Sequence, residues 1–374
     1  MFNILTKERI AKIEVEATSY CNAGCPFCAR HKYGTSIVDD YTQAHIDPNV
    51  MYKLKDDFGK QTKDMRVWFV GNLGDAIMHP KIENIWDFVA THFKGTELET
   101  NGGVRSIDFW KNMGNISKTK GDDQAQISFA IDGLEDTNEI YRKKVKWDRL
   151  MENVEAYLNA GGSAIWKMLV FDHNEHQVDE ARALSKKLGF EQFIPLITTR
   201  NNVKAVSAFP NTLGKNEVKN ITAPVEGNEA NKTKEKLKPY SKLAKQDVDK
   251  IIDKRLEELA FHTSEPKIDC KYIKQKRMYL NSKGRIWPCC WHSEWYDKYD
   301  DLRRMDPLVK QGYIEGFNDY NNYSLDEIFA SPIWKDMTDS WEKFDGMRLC
   351  QQKCVNKKWE ILCNIKEKDI RSSM

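Results

Sequence analysis

The chain has 374 residues, 40% of them hydrophobic and 30% charged, and the two signs nearly balance at a formal net charge of +2. Such a balance argues against nucleic acid or another polyanion as an obligatory partner. The first residues lack the apolar stretch of a signal peptide, and no window has the roughly 18 uncharged apolar residues of a membrane span, so a soluble cytoplasmic protein with no membrane attachment is expected.

The alternation Lys12-Ile13-Glu14-Val15-Glu16-Ala17 has a strand's period of two and runs directly into a cysteine-rich loop. Apolar runs at Val67–Val70, Glu97–Thr100, Ile127–Ile131, Ile165–Phe171 and Phe193–Thr198 repeat the unit, separated by helical patterns at Ile82–Phe93, Trp147–Ala160 and Gln177–Leu188. Strands alternating with helices predict an α/β fold with a parallel sheet and right-handed crossovers, and six such units fit into residues 1–205. Residues 206–265 are polar and lysine-rich and read as a linker with a helix near Asp247–Leu259. Residues 266–374 read as a separate small α+β domain. It opens with a hairpin over 278–287 that turns at Asn281-Ser282-Lys283-Gly284, continues with a helix opened by a Ser324/Glu327 capping box, and adds a helix from Ser331-Pro332.

Nine cysteines, an odd number, fall into two groups: Cys21, Cys25 and Cys28, then Cys270, Cys289, Cys290, Cys350, Cys354 and Cys363. In a reducing compartment this pattern favours metal ligation over disulfides. A [4Fe–4S] cube takes four thiolates, so Cys21-x3-Cys25-x2-Cys28 holds three irons and leaves the fourth open for chemistry. Three structural thiols, or a zinc site with His31 as fourth ligand, are the alternatives for the same residues.

Cys21-Asn22-Ala23-Gly24-Cys25-Pro26-Phe27-Cys28 resembles the signature of the radical S-adenosylmethionine (SAM) superfamily, in which the aromatic residue, here Phe27, lies near the adenine. Gly71-Asn72-Leu73-Gly74-Asp75, after the second strand, is similar to the family's Gly-Gly-Glu-Pro loop that receives the SAM ammonium, with Asp75 and Ala76 where Glu and Pro are usual. The resemblance assigns Asn72, Gly74 and Asp75 to that contact. Thr100-Asn101-Gly102-Gly103 resembles the Thr-Asn-Gly segment, and Ala130-Ile131-Asp132-Gly133 resembles Ser-Ile-Asp-Gly with alanine in place of the serine, so the resemblance assigns Asn101 and Asp132 to SAM as well. Arg142 looks like the arginine that pairs with the SAM carboxylate, a task suited to guanidinium geometry. Covering residues 9–205, the resemblance implies a partial (β/α)6 TIM-like barrel with ligands at the C-terminal strand ends.

Cys270-x13-Gly284-x4-Cys289 is similar to the opening of the SPASM or twitch auxiliary-cluster domain, and Cys350-x3-Cys354 completes four ligands. The resemblance therefore implies a second [4Fe–4S] cluster, with Cys290 and Cys363 as substitute ligands. A zinc knuckle built from the same cysteines is the alternative. Trp287, Trp291, Trp295, Trp334, Trp341 and Trp359 read mostly as a small core and cluster shield. His173 and His176 read as caps and surface groups, and Lys167 either lines the barrel interior or snorkels at the surface.

By resemblance, an electron from a donor such as flavodoxin or ferredoxin enters the first cluster, and SAM is cleaved to methionine and a 5′-deoxyadenosyl radical that takes hydrogen from the substrate. The first strand begins within about ten residues of Met1, too few for a recognition domain ahead of the barrel. A small-molecule substrate undergoing oxidation, epimerisation or decarboxylation is accordingly expected. Radical modification of a peptide or protein, and a non-catalytic zinc-stabilised binding protein, are the alternatives.

Overall fold

The computed structural model describes residues 4–32, 36–37, 42–121, 125–171, 173–197, 268–298, 316–342, 350 and 354. The expected linker over 206–265 with its helix, and also Cys363 and Trp359, lie outside the described residues. The chain packs as two compact units, one of Met1–Tyr20, Asp40–Leu98 and Lys250–Met374, the other of Cys21–Asp39 and Glu99–Asp249.

In the first unit the alternation over residues 12–17 becomes strand β1 (Lys12–Val15), with Ile13 and Val15 fully buried. β1 pairs in parallel with β2 (Arg66–Phe69) from Lys12↔Arg66 to Val15↔Phe69. β2 in turn pairs in parallel with the first four residues of β3 (Gly95–Thr100), which places Phe69 beside Leu98. Helix α1 (Asn49–Phe58) buries Val50, Met51, Leu54 and Phe58, and helix α2 (Ile82–His92) buries Ile82, Ile85, Trp86, Val89 and Ala90; both sets have the spacing of a single helix face.

In the second unit β4 (Ala125–Ala130), β5 (Ser163–Val170) and β6 (Gln192–Ile197) pair in parallel, with Ala130 opposite Lys167 and Lys167 opposite Ile194. Helices α3 (Ile107–Lys120), α4 (Trp147–Asn159) and α5 (Val178–Leu188) connect them. Phe129 on β4 meets Trp110 at 5.4 Å and Tyr157 at 5.7 Å between ring centroids, and Trp166 on β5 meets Phe190 at 5.5 Å. These rings identify the helix-packed face of the sheet. Since side chains alternate along a strand, Ser128 and Lys167 face the other way.

Apart from one antiparallel strand described below and a short antiparallel pair, His31–Lys32 with Ser36–Ile37, the described strands pair in parallel as the alternating pattern predicts, and the fold is the α/β partial barrel that the resemblance implies. The strands begin one or two residues earlier than the apolar runs suggest, as at Arg66, Gly95 and Ser163. A ladder extends wherever a backbone partner is present, whereas apolar runs mark only the buried part. Among the described residues no helix is long and apolar enough to cross a membrane.

The C-terminal hairpin is present as β7 (Arg277–Leu280) and antiparallel β8 (Ile286–Trp287), but it does not stand apart: β7 pairs in parallel with β1 from Lys12↔Arg277 to Val15↔Leu280. β1 has a second open edge to satisfy, and an apolar strand supplies the partner for its backbone groups. Helix α6 (Cys290–Lys298) follows, then α7 (Leu325–Ala330), with both hydrogen bonds of the Ser324/Glu327 capping box made, and α8 (Ile333–Asp339) after Pro332. Trp287 and Trp334 are buried as a small core requires, whereas Trp291 is 43% exposed.

Candidate active site

The loop that follows β1 in the chain carries Cys21 and Cys28 half-buried and Cys25 buried, none of the three in a disulfide. Two turns set its path, Cys28 N–H to Cys25 O at 3.1 Å and His31 N–H to Cys28 O at 3.0 Å, and Gly24 N–H ties it to Lys143 O at 2.9 Å. Polar hydrogens point at the sulfurs. Ala23 N–H lies 3.4 Å from Cys21 Sγ, Asn101 Nδ2 lies 3.7 Å from the same sulfur, and Arg142 Nη1 lies 3.8 Å from Cys25 Sγ. Burial pushes the Cys25 thiol up to about 11, and the Arg142 guanidinium draws it back in part. Soft thiolates with N–H donors behind them form a donor set suited to an iron–sulfur cluster. Among the described residues no three His, Cys, Asp or Glu side chains converge tightly enough for one metal ion. A cube takes one thiolate per iron, so its ligands stand wider apart than those of a single ion.

Asn101 exchanges amide hydrogen bonds with Asn22, donating at 2.9 Å and accepting at 3.1 Å, and also accepts from Gly103 N–H at 3.0 Å. Arg142 Nε donates to Asp132 Oδ2 at 2.6 Å. Burial works against the guanidinium charge, but the adjacent carboxylate outweighs it and raises the Arg142 pKa. Asp132 is fully buried, its Oδ1 accepting from Leu169 N–H at 2.6 Å, so both carboxylate oxygens hold protein groups in place. Phe27 is half-buried.

The glycine loop belongs to the first unit. Glu16, the last acidic residue of the β1 alternation, is 2% exposed, and its Oε1 accepts from Leu73 N–H at 2.5 Å and Gly74 N–H at 3.2 Å. Sequence reasoning overlooked Glu16, although its place at the end of a period-two run was a usable signal. Asp75 is buried and caps the short turn Ala76–Met78 by accepting from Ile77 N–H at 3.3 Å. Asn72 Nδ2 donates to the Cys290 carbonyl at 3.5 Å.

Also in the first unit, Cys270 and Cys354 share a hydrogen bond between their sulfurs, and Cys354 lies within electrostatic reach of Cys350 and Cys289. His292, absent from the sequence-based set, is 4% exposed, with Nδ1 3.0 Å from Cys289 Sγ and Nε2 3.9 Å from Cys350 Sγ. Burial holds its ring neutral, with a pKa lowered to about 4. The Cys290 thiol instead faces Tyr272, whose hydroxyl donates to Glu14, a carboxylate that also pairs with Arg277. The hydrogen bond from Cys354 lowers the Cys270 pKa and raises that of Cys354. In metal-free protein, iodoacetamide at neutral pH is therefore expected to alkylate Cys270 ahead of Cys25 and Cys289, because only the thiolate reacts. Mass-mapped labelling across pH 6–9 checks this; equal rates at the three sites would show that the pairing does not form.

Lys167 settles on the side of the sheet away from the helices, with its ammonium 2.5 Å from Glu99 and a side-chain exposure of 19%. His173 departs from its expected surface role: it is 8% exposed and stacks on Phe171 at 5.1 Å, since the apolar end of β5 offers the ring a dry face. His176 remains at the surface as expected.

Residues 15–184 match the family profile described as the radical SAM superfamily. No curated protein sequence matches the chain. Among solved structures, Streptococcus suis SuiB is similar at a TM-score of 0.50 and 14% identity, over 88% of this chain and 68% of SuiB. SuiB bound to S-adenosylmethionine gives 0.51 and 12%, over 87% and 65%. SuiB bound to precursor peptide SuiA gives 0.50 and 11%, over 87% and 66%, so the chain spans about two thirds of that protein's length. At such identities the likeness shows the fold, whereas the profile match lies on residues 15–184, the segment that contains the cysteine loop, the glycine loop, Asn101, Asp132 and Arg142, and identifies that segment as similar to the radical SAM superfamily.

Proposed function

We propose that the protein cleaves SAM reductively and uses the radical so formed to take hydrogen from a substrate. The observation that carries this reading is the set of N–H donors from Ala23, Asn101 and Arg142 aimed at the sulfurs of Cys21 and Cys25. Such donors favour thiolate over thiol and tune a bound cluster. When bound, the cluster supplies the electron that splits SAM into methionine and a 5′-deoxyadenosyl radical. Cys21, Cys25 and Cys28 hold it, Asn101 and Asn22 brace the loop, and Asp132 orients Arg142. Phe27 serves the adenine and Arg142 the carboxylate. The Gly74 backbone and Asp75 serve the ammonium, in a loop that Glu16 holds in shape.

A second cluster on Cys270, Cys289, Cys350 and Cys354 is part of the same proposal, supported by the proximity of these four thiols and by the turning of Cys290 toward Tyr272. A cytoplasmic donor such as flavodoxin or ferredoxin provides the electron. The Glu99–Lys167 pair on the open side of the sheet suits a polar small molecule. One observation favours a peptide instead: SuiB, similar in fold, is seen bound to a precursor peptide.

Anaerobic reconstitution followed by counting iron and sulfide tests the reading, with 5′-deoxyadenosine formation compared between wild type and Cys21→Ala/Cys25→Ala/Cys28→Ala. About eight irons per chain are expected in wild type and about four in the variant, with cleavage in wild type alone. Zinc without SAM cleavage would overturn the proposal and leave a structural metal protein.

A further inference from the structure

Arg30 lies two residues beyond Cys28 and is 4% exposed. Its Nη1 donates to the Cys21 carbonyl at 2.9 Å, and its Nε is buried without a hydrogen-bond partner. Among the described residues no carboxylate pairs with it. The contrast with Arg142 is instructive, since Asp132 at 2.6 Å cancels that charge. Among the described residues the loop therefore buries one positive charge without a counter-charge, on a group that cannot shed its proton. A buried charge with no anion beside it is unfavourable until one arrives.

Three thiolates around an oxidised cube core of about 2+ carry about one net negative charge, equal and opposite to that of Arg30. We propose that Arg30 is the built-in counter-charge of the Cys21/Cys25/Cys28 cluster, a positioning residue that retains the cluster and raises its reduction potential. This rests on the functional reading above. Its consequence separates it from an ordinary structural arginine: the guanidinium is a burden on the metal-free protein and an asset to the loaded one, because the charge that offsets it comes with the cluster. A structural arginine would stabilise both forms alike.

The test uses full-length Arg30→Gln and Arg30→Lys, reconstituted anaerobically without SAM. Its readouts are iron and sulfide content, midpoint potential by EPR-monitored titration, release of iron to a chelator, and the thermal midpoint of the metal-free protein. Arg30→Gln is expected to lower the reduced-to-oxidised ratio about tenfold at a given potential, a shift of about 59 mV for one electron. It should also lose iron about tenfold faster, while its metal-free form melts at or above the wild-type temperature. Arg30→Lys, which keeps the charge, should recover most of the potential. Unchanged potential and retention in Arg30→Gln would overturn the proposal alone, as would a lower metal-free melting temperature with unchanged potential. Wild-type protein that takes up no iron and sulfide would overturn the functional reading together with it.

Discussion

Replacing Asp132 with alanine is expected to destabilise the protein by about 3–5 kcal/mol, the range for removing one partner of a buried ion pair. The carboxylate is fully buried; Oδ2 takes Arg142 Nε and Oδ1 takes Leu169 N–H, each at 2.6 Å. The Asp132 backbone is held as firmly, its N–H donating to Asn138 Oδ1 at 2.9 Å and its carbonyl accepting from Asn174 Nδ2 at 2.7 Å. Loss of the side chain leaves a guanidinium with 18% side-chain exposure without its counter-charge and a backbone donor without an acceptor. Arg142 Nη1 would also lose its aim at Cys25 Sγ, 3.8 Å away, so cluster retention should fall with stability. Thermal melting of metal-free Asp132→Ala, Arg142→Met and the double variant checks this. The double variant should be less destabilised than the sum of the singles, because removing both charges leaves neither stranded. Strict additivity would show that the pair is not coupled.

Gly74→Ala is expected to cost about 2–3 kcal/mol and to lower SAM cleavage about 100-fold, the scale on which a misplacement of about 1 Å acts. A Cβ at Gly74 would stand 1.9 Å from the Thr18 carbonyl oxygen and 2.7 Å from Ser19 Cα. These are backbone atoms, so no rotamer change relieves the clash and the loop must move. Moving it breaks the bonds from Leu73 and Gly74 N–H to Glu16 and the bond from Asp75 N–H to the Tyr20 carbonyl at 2.8 Å. Cluster content should stay at the wild-type level while the affinity for SAM falls, as read by isothermal titration of the reconstituted protein. Wild-type SAM affinity in Gly74→Ala would show that this loop does not receive the cosubstrate.

Local pattern carried much of this protein. The period-two run at 12–17, the apolar runs and the helical faces made the βα units legible, because burial on one side imposes its period on the residues. Cysteine spacing made the first loop legible, since wrapping a cube constrains neighbours in sequence. The Ser324/Glu327 box could be read because its partners lie three residues apart. Other features depended on contacts between residues distant in sequence. β7 joins β1 across more than 260 positions of chain, a pairing that no local pattern records. Asp132 and Arg142, each assigned to the cosubstrate by motif, turn out to be partners, because only folding brings one to the other and to Leu169. Cys290 is separated from Cys289 by its packing on Tyr272, and Arg30 stands out only once burial shows which charges lack a counter-charge among the described residues. Sequence alone determined the α/β class, the cysteine loop and the resemblance of residues 15–184 to the radical SAM superfamily. Tertiary structure decided which polar groups hold one another and which remain for a ligand, because burial and charge compensation are properties of the packed chain and not of any segment in it.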